Sequence, residues 1–416
     1  MTIFIYDRHE KLIEVKKVLK LKYVAVIPLV FLLMSVAVVA TPTTKGPYLD
    51  PWKIDISGMP DIESMPIDDG AIHWTKVKLP EQCKSADGSD MIIMTSRGTS
   101  NNVLIYLEGG GASWNYQMAR GKIPILLLNF LTGKRSIYTR PFFGELKAFY
   151  RMGMFNRLNP ENPFKDWNMI LIPFVSEDVH AGNRVAVYTD PATGKTETVY
   201  HLGHANAVVV ERWAAEHFGD ADHVLLCGSS AGGYGCWANW LSAKQAFGED
   251  KRIDIFADSA PGLICQPGNV NNDLQRANWG YTDVIPEDAK KFLKDDGQII
   301  YILKWIHDAY PYPENEDKII VFDYRNDVVL APIFLNWTPK EWESYLISAM
   351  DDIMNYTGND PRIAGLFPKG MMHTILMLPT FYTQKVDAVV GGQEYHGVKV
   401  VDWARWLVYD TPLPET

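Results

Sequence analysis

Two kinds of apolar segment can be distinguished in the central part of the chain. The runs at 103–107 and 222–227 are short and rich in Val and Leu, which is typical of strands buried on both faces of a parallel sheet. Segment 234–247 instead repeats its apolar residues at helical spacing and stops at Gly248. The pattern predicts a strand followed directly by a helix, as in an α/β domain.

A longer apolar segment at 23–40 differs from both. It carries no charge, follows a lysine-rich stretch and ends in small residues at Val38 and Ala40, a pattern that predicts an export signal. Its length of about 18 residues also permits an uncleaved membrane anchor. We therefore expect a signal peptide or anchor at 1–40, a polar leading segment at 41–75 and the main domain at 76–416, with membrane contact only through the first part.

Composition and charge narrow the class of protein. The 416 residues are 47% hydrophobic and 22% charged, an ordinary globular balance that suffices for one large domain or two small ones. The formal net charge is -10, and residues 1–40 are themselves basic, so the remainder is more acidic still. This charge argues against nucleic acid as a partner and mildly disfavours a polyanionic substrate.

The chain has four cysteines: Cys83, Cys227, Cys236 and Cys265. They are too few for a disulfide scaffold but fit an exported enzyme with one or two bridges. Cys227 and Cys236 are alternatively buried free thiols beside a predicted turn. No spacing of these cysteines matches a zinc site, and we expect neither a metal nor a cofactor.

The turn between the predicted strand and helix reads Gly228-x-Ser230-x-Gly232. Reversing from strand to helix at one residue forces Ser230 into a strained backbone conformation and requires neighbours without side chains at positions 228 and 232. The hydroxyl is then presented to solvent. This context predicts the nucleophile elbow of an α/β-hydrolase with Ser230 as nucleophile, against the alternative of a plain Gly/Ser turn.

A glycine loop, residues 108–114, follows the predicted strand at 103–107 and contains three consecutive glycines. Such a loop can point successive N–H groups into a pocket. We assign the oxyanion donors to Gly110, Gly111 and the N–H of Ala231. The alternative of a phosphate loop lacks the Lys-Ser/Thr pair that would follow it.

The general base of such a site is a histidine. In this fold it follows the acid along the chain, and the acid follows the serine. His373 lies in a loop that contains Pro and Gly and precedes an apolar segment, which favours it as the base. His396 is the second choice. His307 falls in a predicted helix where a packing role is expected, and His223 precedes the nucleophile.

The acid is expected where a strand ends between Ser230 and His373. The apolar run after Lys318 contains Asp323 and is followed by Asp327, which we favour because it lies in the loop beyond the strand. Asp323 is the second choice. Asp258, in a Pro/Gly turn, is the third and least favoured candidate for the acid. It is better explained as a residue that orients the neighbouring backbone.

Three further features concern substrate binding. Trp114 is a wall of the acyl pocket or, alternatively, a buried structural tryptophan. His180 either lines the substrate cleft or is a hydrogen-bonded loop histidine. The aromatic segment 115–154 is a lid or acyl-pocket insertion, with packing core as an equal alternative.

Several separated blocks of the sequence together resemble the pectin acetylesterase and Notum family of serine carboxylesterases. They are residues 107–111, 162–168, 172–182, 201–206, 228–233, 258–262 and the segment around His373. The resemblance runs from about residue 76 to 406. It implies an α/β-hydrolase fold, a Ser-Asp-His triad and release of an acyl group, often acetyl, from an oxygen ester.

Position by position, the resemblance places the triad and oxyanion hole on the residues chosen above: Ser230, Asp327, His373, Gly110, Gly111 and Ala231. Two departures stand out. Phe174-Val175 replaces a Tyr-Cys pair, which removes a familiar disulfide partner, and Leu330 replaces a glutamine after the acid. The expected function is an exported carboxylesterase acting on a small-molecule or saccharide ester. A lipase or general esterase, or a catalytically silent binding protein, are the alternatives.

Overall fold

The computed structural model describes residues 43–68, 70, 73–119, 151–262, 270–293, 298–335 and 337–414. The predicted export segment at 1–40, Cys265 and most of the proposed insertion at 115–154 lie outside the described residues. In the described parts of that insertion, Tyr116, Met118 and Met154 are buried among core residues.

The regular elements follow one another along the chain in the order of their labels. The strands are β1 Thr43–Lys45, β2 Thr75–Lys78, β3 Ile92–Ser96, β4 Val103–Leu107, β5 Asn168–Ile172, β6 Arg184–Thr189, β7 Thr196–His201, β8 Val224–Ser229, β9 Ile253–Asp258, β10 Ile319–Phe322, β11 Ile363–Leu366, β12 Lys385–Val390 and β13 Gln393–Lys399. The α-helices are α1 Tyr116–Ala119, α2 Gly203–Phe218, α3 Ala231–Phe247, α4 Val270–Trp279, α5 Ile302–Ala309, α6 Pro339–Tyr356 and α7 Val400–Tyr409. Short 3-10 turns and a π turn at Leu330–Phe334 occur between them.

An eight-stranded sheet in the order β11-β10-β9-β8-β4-β5-β3-β2 forms the centre of the fold. The strands from β11 to β5 pair in parallel, and β3 and β2 continue the sheet antiparallel. Both strands predicted from short apolar runs, β4 and β8, lie in the middle of this sheet. A mostly parallel sheet with helices on both faces is the predicted α/β-hydrolase fold.

Each face of the sheet packs against its own hydrophobic core, which explains why the central strands lack polar alternation. Val103 and Ile105 of β4 face a core that includes Trp213 of α2 and Trp237 of α3. The opposite face of β4 contributes Leu104 and Tyr106 to a second core with residues of α7. The leading segment joins the first core through Ile54, Ile56 and Ile62. Two small antiparallel sheets, β1-β6-β7 and β12-β13, stand apart from the main one.

The turn between β8 and α3 is as sharp as the sequence predicts. Ser230 has φ 57° and ψ -121°, a conformation that is costly for a residue with a side chain. A Cβ atom at Gly232 would overlap the backbone oxygen of Leu107, and one at Gly228 would overlap the backbone of Gly232. Helix α3 begins immediately after Ser230 and ends at Gly248, where φ is 109°.

The three described cysteines, Cys83, Cys227 and Cys236, are buried and free, which for Cys227 and Cys236 is the alternative of buried thiols raised from the sequence. Cys227 lies on the β8 face that packs with one core, and Cys236 of α3 lies in the core on the other face. The sheet therefore separates these two thiols. Within the described residues, no helix combines the length and hydrophobicity needed to span a membrane.

The close approach at Gly232 predicts a strong effect of one methyl group. Gly232→Ala should lower the free energy of unfolding by about 3 kcal/mol, because the Leu107 oxygen belongs to a central strand and cannot move aside. Gly58→Ala is the matched control, since a Cβ atom there meets open space. Chemical denaturation measures both, and equal stability of the two variants would contradict this packing account.

Candidate active site

The carboxyl ends of five neighbouring parallel strands carry the residues singled out from the sequence. The glycine loop follows β4, Ser230 follows β8, Asp258 ends β9, Asp327 follows β10 and His373 follows β11. In open α/β sheets, ligands bind at this edge of the sheet. The sheet order therefore gathers residues that are far apart in the chain.

Ser230 lines a cavity together with Gly110 and Ala231. Ser230 is 9% exposed and lies in the wall of this cavity. The Ser230 N–H donates to the backbone oxygen of Asp258 at 2.7 Å, which fixes the elbow to the next strand. Ala231 begins α3, where N–H groups lack helical partners and the helix dipole favours negative charge.

Asp327 and His373 form a direct pair. The Nδ1–H group of His373 donates to Oδ2 of Asp327 at 2.6 Å, and Oδ1 of Asp327 accepts the N–H groups of Val329 and Leu330 at 2.8 Å each. Burial opposes ionisation of this fully buried carboxyl, but the imidazole and the two N–H groups lower the pKa of Asp327 below its usual value. The carboxylate thus orients the ring and leaves Nε2 available.

The two other acid candidates have different surroundings. Burial, followed by the neighbouring Asp327 carboxylate, raises the pKa of Asp323 well above its usual range. The Asp258 carboxylate accepts the backbone N–H groups of Ile375 and Leu376. Of the three candidates, Asp327 has the hydrogen bond to His373.

The other histidine candidates lie elsewhere. His307 on α5 pairs with Asp360 at 2.8 Å, which agrees with the packing role expected for it. His396 lies on β13 of the two-stranded β12-β13 sheet, with a side chain that is 62% exposed. His223 stacks on Trp167 before β8 begins.

The glycine loop has no room for side chains beside Ser230. A Cβ atom at Gly109 would crowd the Ser229 oxygen, and one at Gly110 would overlap the Phe174 ring. The Phe174 N–H donates to the carboxylate of Glu108 at 3.1 Å, so this glutamate braces the loop. Gly110 faces the cavity, and Gly111 follows it in the half-buried part of the loop.

His180 lies behind the glycine loop and is not part of the described cavity wall. Its ring is 1% exposed, and its Nε2 is 2.8 Å from the backbone oxygen of Glu108. Burial lowers the pKa of His180 to about 4, so the ring is neutral at physiological pH. The assignment of His180 to substrate binding is therefore replaced by the alternative of a hydrogen-bonded loop histidine that supports the glycine loop.

Trp114 has features of both expected roles, a cavity wall and a buried structural tryptophan. It lines the cavity, yet it is only 2% exposed and meets Trp279 edge to face at a centroid distance of 6.0 Å. Trp279 in turn donates its indole N–H to the Ser113 oxygen at 2.7 Å. Sequence reasoning missed Trp279, because nothing local marks a residue that reaches the cavity from the distant helix α4.

The cavity beside Ser230 is narrow and lined mainly by apolar side chains. Its internal volume, as bounded by the described residues, is about 60 Å³, enough for a few water-sized groups. Its larger apolar lining residues are Trp114, Val179, Tyr234, Trp279, Tyr281, Ile299, Leu330 and Leu335. Across the described ranges, no group of three or more His, Cys, Asp or Glu side chains is arranged to hold a metal ion.

The chain is similar to known proteins in its sequence profile and in its fold. The pectinacetylesterase family profile matches residues 72–292, which include the glycine loop and Ser230 and end before Asp327 and His373. A solved structure of the Wnt deacylase Notum from Drosophila aligns with 75% of this chain over 88% of its own length. The two sequences are 18% identical and the TM-score is 0.51, so the similarity is one of fold alone. No curated protein matches the chain significantly. The chain belongs to the pectinacetylesterase family and is an esterase of that type.

Proposed function

We propose that the protein is a serine carboxylesterase that removes a short acyl group, in particular acetyl, from an oxygen ester. The observation that carries this proposal is the 2.6 Å pair of His373 and Asp327 at the same sheet edge as the strained Ser230. Ser230, Asp327 and His373 act as the triad. Gly110, Gly111 and Ala231 supply the oxyanion N–H groups.

The reaction proceeds in two acyl transfers. The Oγ atom of Ser230 attacks the ester carbonyl while Nε2 of His373 takes the hydroxyl proton, and Asp327 stabilises the imidazolium that forms. The negative oxygen of the tetrahedral intermediate accepts hydrogen bonds from N–H groups of the glycine loop and of the start of α3. His373 then returns the proton to the departing alcohol. Water repeats the same sequence on the acyl-enzyme and releases the acid.

The apolar cavity accepts the acyl group in this proposal. Trp114 and Trp279 form an aromatic wall that desolvates the acyl chain, and the small internal volume favours a short chain. A saccharide or other small-molecule alcohol then remains on the solvent side of Ser230. The Wnt deacylase of similar fold is consistent with acyl-ester chemistry on this architecture.

We further propose roles for the parts of the chain that lie outside the active site. Residues 1–40 act as a signal peptide or N-terminal membrane anchor that exports the enzyme, and 76–416 form the catalytic domain with an insertion at 115–154. Segment 41–75 leads into that domain, and its residues Ile54, Ile56 and Ile62 pack in the core. Partners are limited to the ester substrate, without nucleic acid, metal or cofactor.

Replacing the nucleophile provides the first test. Ser230→Ala should lower kcat/KM for p-nitrophenyl acetate by about 10⁴-fold or more, because it removes the nucleophile that forms the acyl-enzyme. Ser242→Ala, a buried serine on the same helix α3 that donates to the Asn239 oxygen, is the control and should retain activity. Wild-type turnover by Ser230→Ala would refute the proposed mechanism and favour a binding protein with adventitious hydrolysis.

The base and acid are tested against a second His-Asp pair in the same chain. His373→Ala and Asp327→Asn should each lower kcat by about 10⁴-fold, the latter because the ring loses its correct tautomer. His307→Ala should leave kcat unchanged, since its partner Asp360 precedes β11, at the end of that strand opposite His373. Steady-state kinetics measures kcat of the three variants, and circular dichroism spectra that match the wild type show that each variant is folded. Loss of activity in His396→Ala with retention in His373→Ala would require a different base.

The size of the cavity predicts acyl-chain specificity. With p-nitrophenyl esters, kcat/KM should fall by about tenfold or more between acetate and octanoate, because each excess methylene must displace packed aromatic side chains. The assay uses protein lacking residues 1–40. A rate that rises with chain length would contradict the short-acyl proposal and favour a lipase.

A further inference from the structure

Asp258, the last residue of β9, contacts both halves of the proposed triad by way of the backbone. Its backbone oxygen accepts the N–H of Ser230 at 2.7 Å. Its carboxylate accepts the N–H of Ile375 at 2.9 Å and that of Leu376 at 3.0 Å. One fully buried residue therefore holds the nucleophile elbow and the segment that follows His373.

The neighbouring residue Ser259 extends this contact. Its Oγ atom accepts the N–H of Thr374 at 2.8 Å, so three consecutive N–H groups after His373 are bound by two consecutive side chains. Ser259 and Thr374 have φ values of 49° and 66°, which are unusual for residues with side chains. Strain of this kind persists only where the surroundings fix the backbone, and it concentrates at functional sites.

A hydrogen-bonded chain supports the Asp258 carboxylate from the core. The Tyr106 hydroxyl donates to Oγ of Ser229 at 2.8 Å, and Ser229 donates to Oδ2 of Asp258 at 2.6 Å. Tyr106 is the penultimate residue of β4, close to the glycine loop in sequence, and Ser229 directly precedes the nucleophile. Burial raises the pKa of Asp258, while the Ser229, Leu376 and Ile375 donors oppose that rise.

We infer that Asp258 is a positioning residue for the reaction, which sets the distance between Ser230 and the imidazole of His373. This inference rests on the proposed function and goes beyond it, because Asp258 touches neither the substrate nor the reacting atoms. The Asp327 pair fixes the orientation of the ring, whereas Asp258 and Ser259 fix the backbone that carries it. Without the Asp258 carboxylate, the N–H groups of Ile375 and Leu376 lose their acceptor, and the loop is free to withdraw from the elbow.

Asp258→Asn tests this inference, because it preserves the shape of the side chain and replaces one acceptor oxygen by a donor. The first readout is the rate at which an alkyl fluorophosphonate labels Ser230, which needs an activated serine but no cognate substrate. The second is the split between kcat and KM for p-nitrophenyl acetate. We expect labelling and kcat to fall by about 10- to 100-fold with little change in KM, since the groups are misplaced rather than removed.

Asp254→Asn is the matched control. Asp254 lies on the same strand β9, is 1% exposed and likewise accepts a backbone N–H, that of Lys318 at 2.8 Å, at the end of the strand away from the site. It should label and turn over at the wild-type rate while losing stability. Equal loss of activity in Asp254→Asn and Asp258→Asn, or wild-type rates in Asp258→Asn, would overturn the positioning role.

Two further variants keep the outcome decisive. Ser259→Ala removes only the acceptor of the Thr374 N–H and should slow labelling by about 3- to 10-fold; if Asp258→Asn does not fold, an unchanged rate in Ser259→Ala overturns the inference. Ser230→Ala reports on the proposed function itself. Labelling that persists in Ser230→Ala refutes the nucleophile, whereas labelling that requires Ser230 but ignores Asp258 and Ser259 refutes only the positioning role.

Discussion

The structure depends on one backbone contact, between the first turn of α3 and the end of β4. Gly232 packs against the Leu107 oxygen so closely that no side chain fits between them. This contact draws the start of α3 against the glycine loop, and the intervening reversal gives Ser230 its strained φ of 57°. The nucleophile, the loop N–H groups and the helix N-terminus therefore come together as a consequence of how one helix docks on the sheet.

Around this contact, three buried aspartates at the ends of β9 and β10 have different roles because their partners differ. Asp327 is held ionised by an imidazole and two N–H groups. Asp258 receives backbone and hydroxyl donors and connects two loops. For Asp323, beside Asp327, burial and then the adjacent carboxylate raise the pKa well above its usual range. Identical side chains at the same sheet edge thus differ: Asp327 is a charge partner, Asp258 connects two loops, and Asp323 has a raised pKa.

The sequence predicts those features that depend on local constraints. Strands β4 and β8, the helix after Ser230 and its end at Gly248 follow from hydrophobic spacing and from glycines that only a tight turn requires. Long-range consequences were not accessible in this way. The bonds of Asp258 depend on the pairing of β9 with its neighbours, and His180 turns behind the glycine loop because of contacts that span distant segments. Cys227 and Cys236 likewise stay apart because they lie in the cores on opposite faces of the sheet.

Trapping the covalent intermediate tests the central claim most directly. The full-length protein is mixed with p-nitrophenyl acetate, quenched in acid within the first turnovers, digested and analysed by mass spectrometry. The proposed mechanism predicts one acetyl group on the peptide that contains Ser230, with fragmentation placing it on that serine. Steady turnover with no acetyl group on Ser230, or with the acetyl group on another residue, would contradict it.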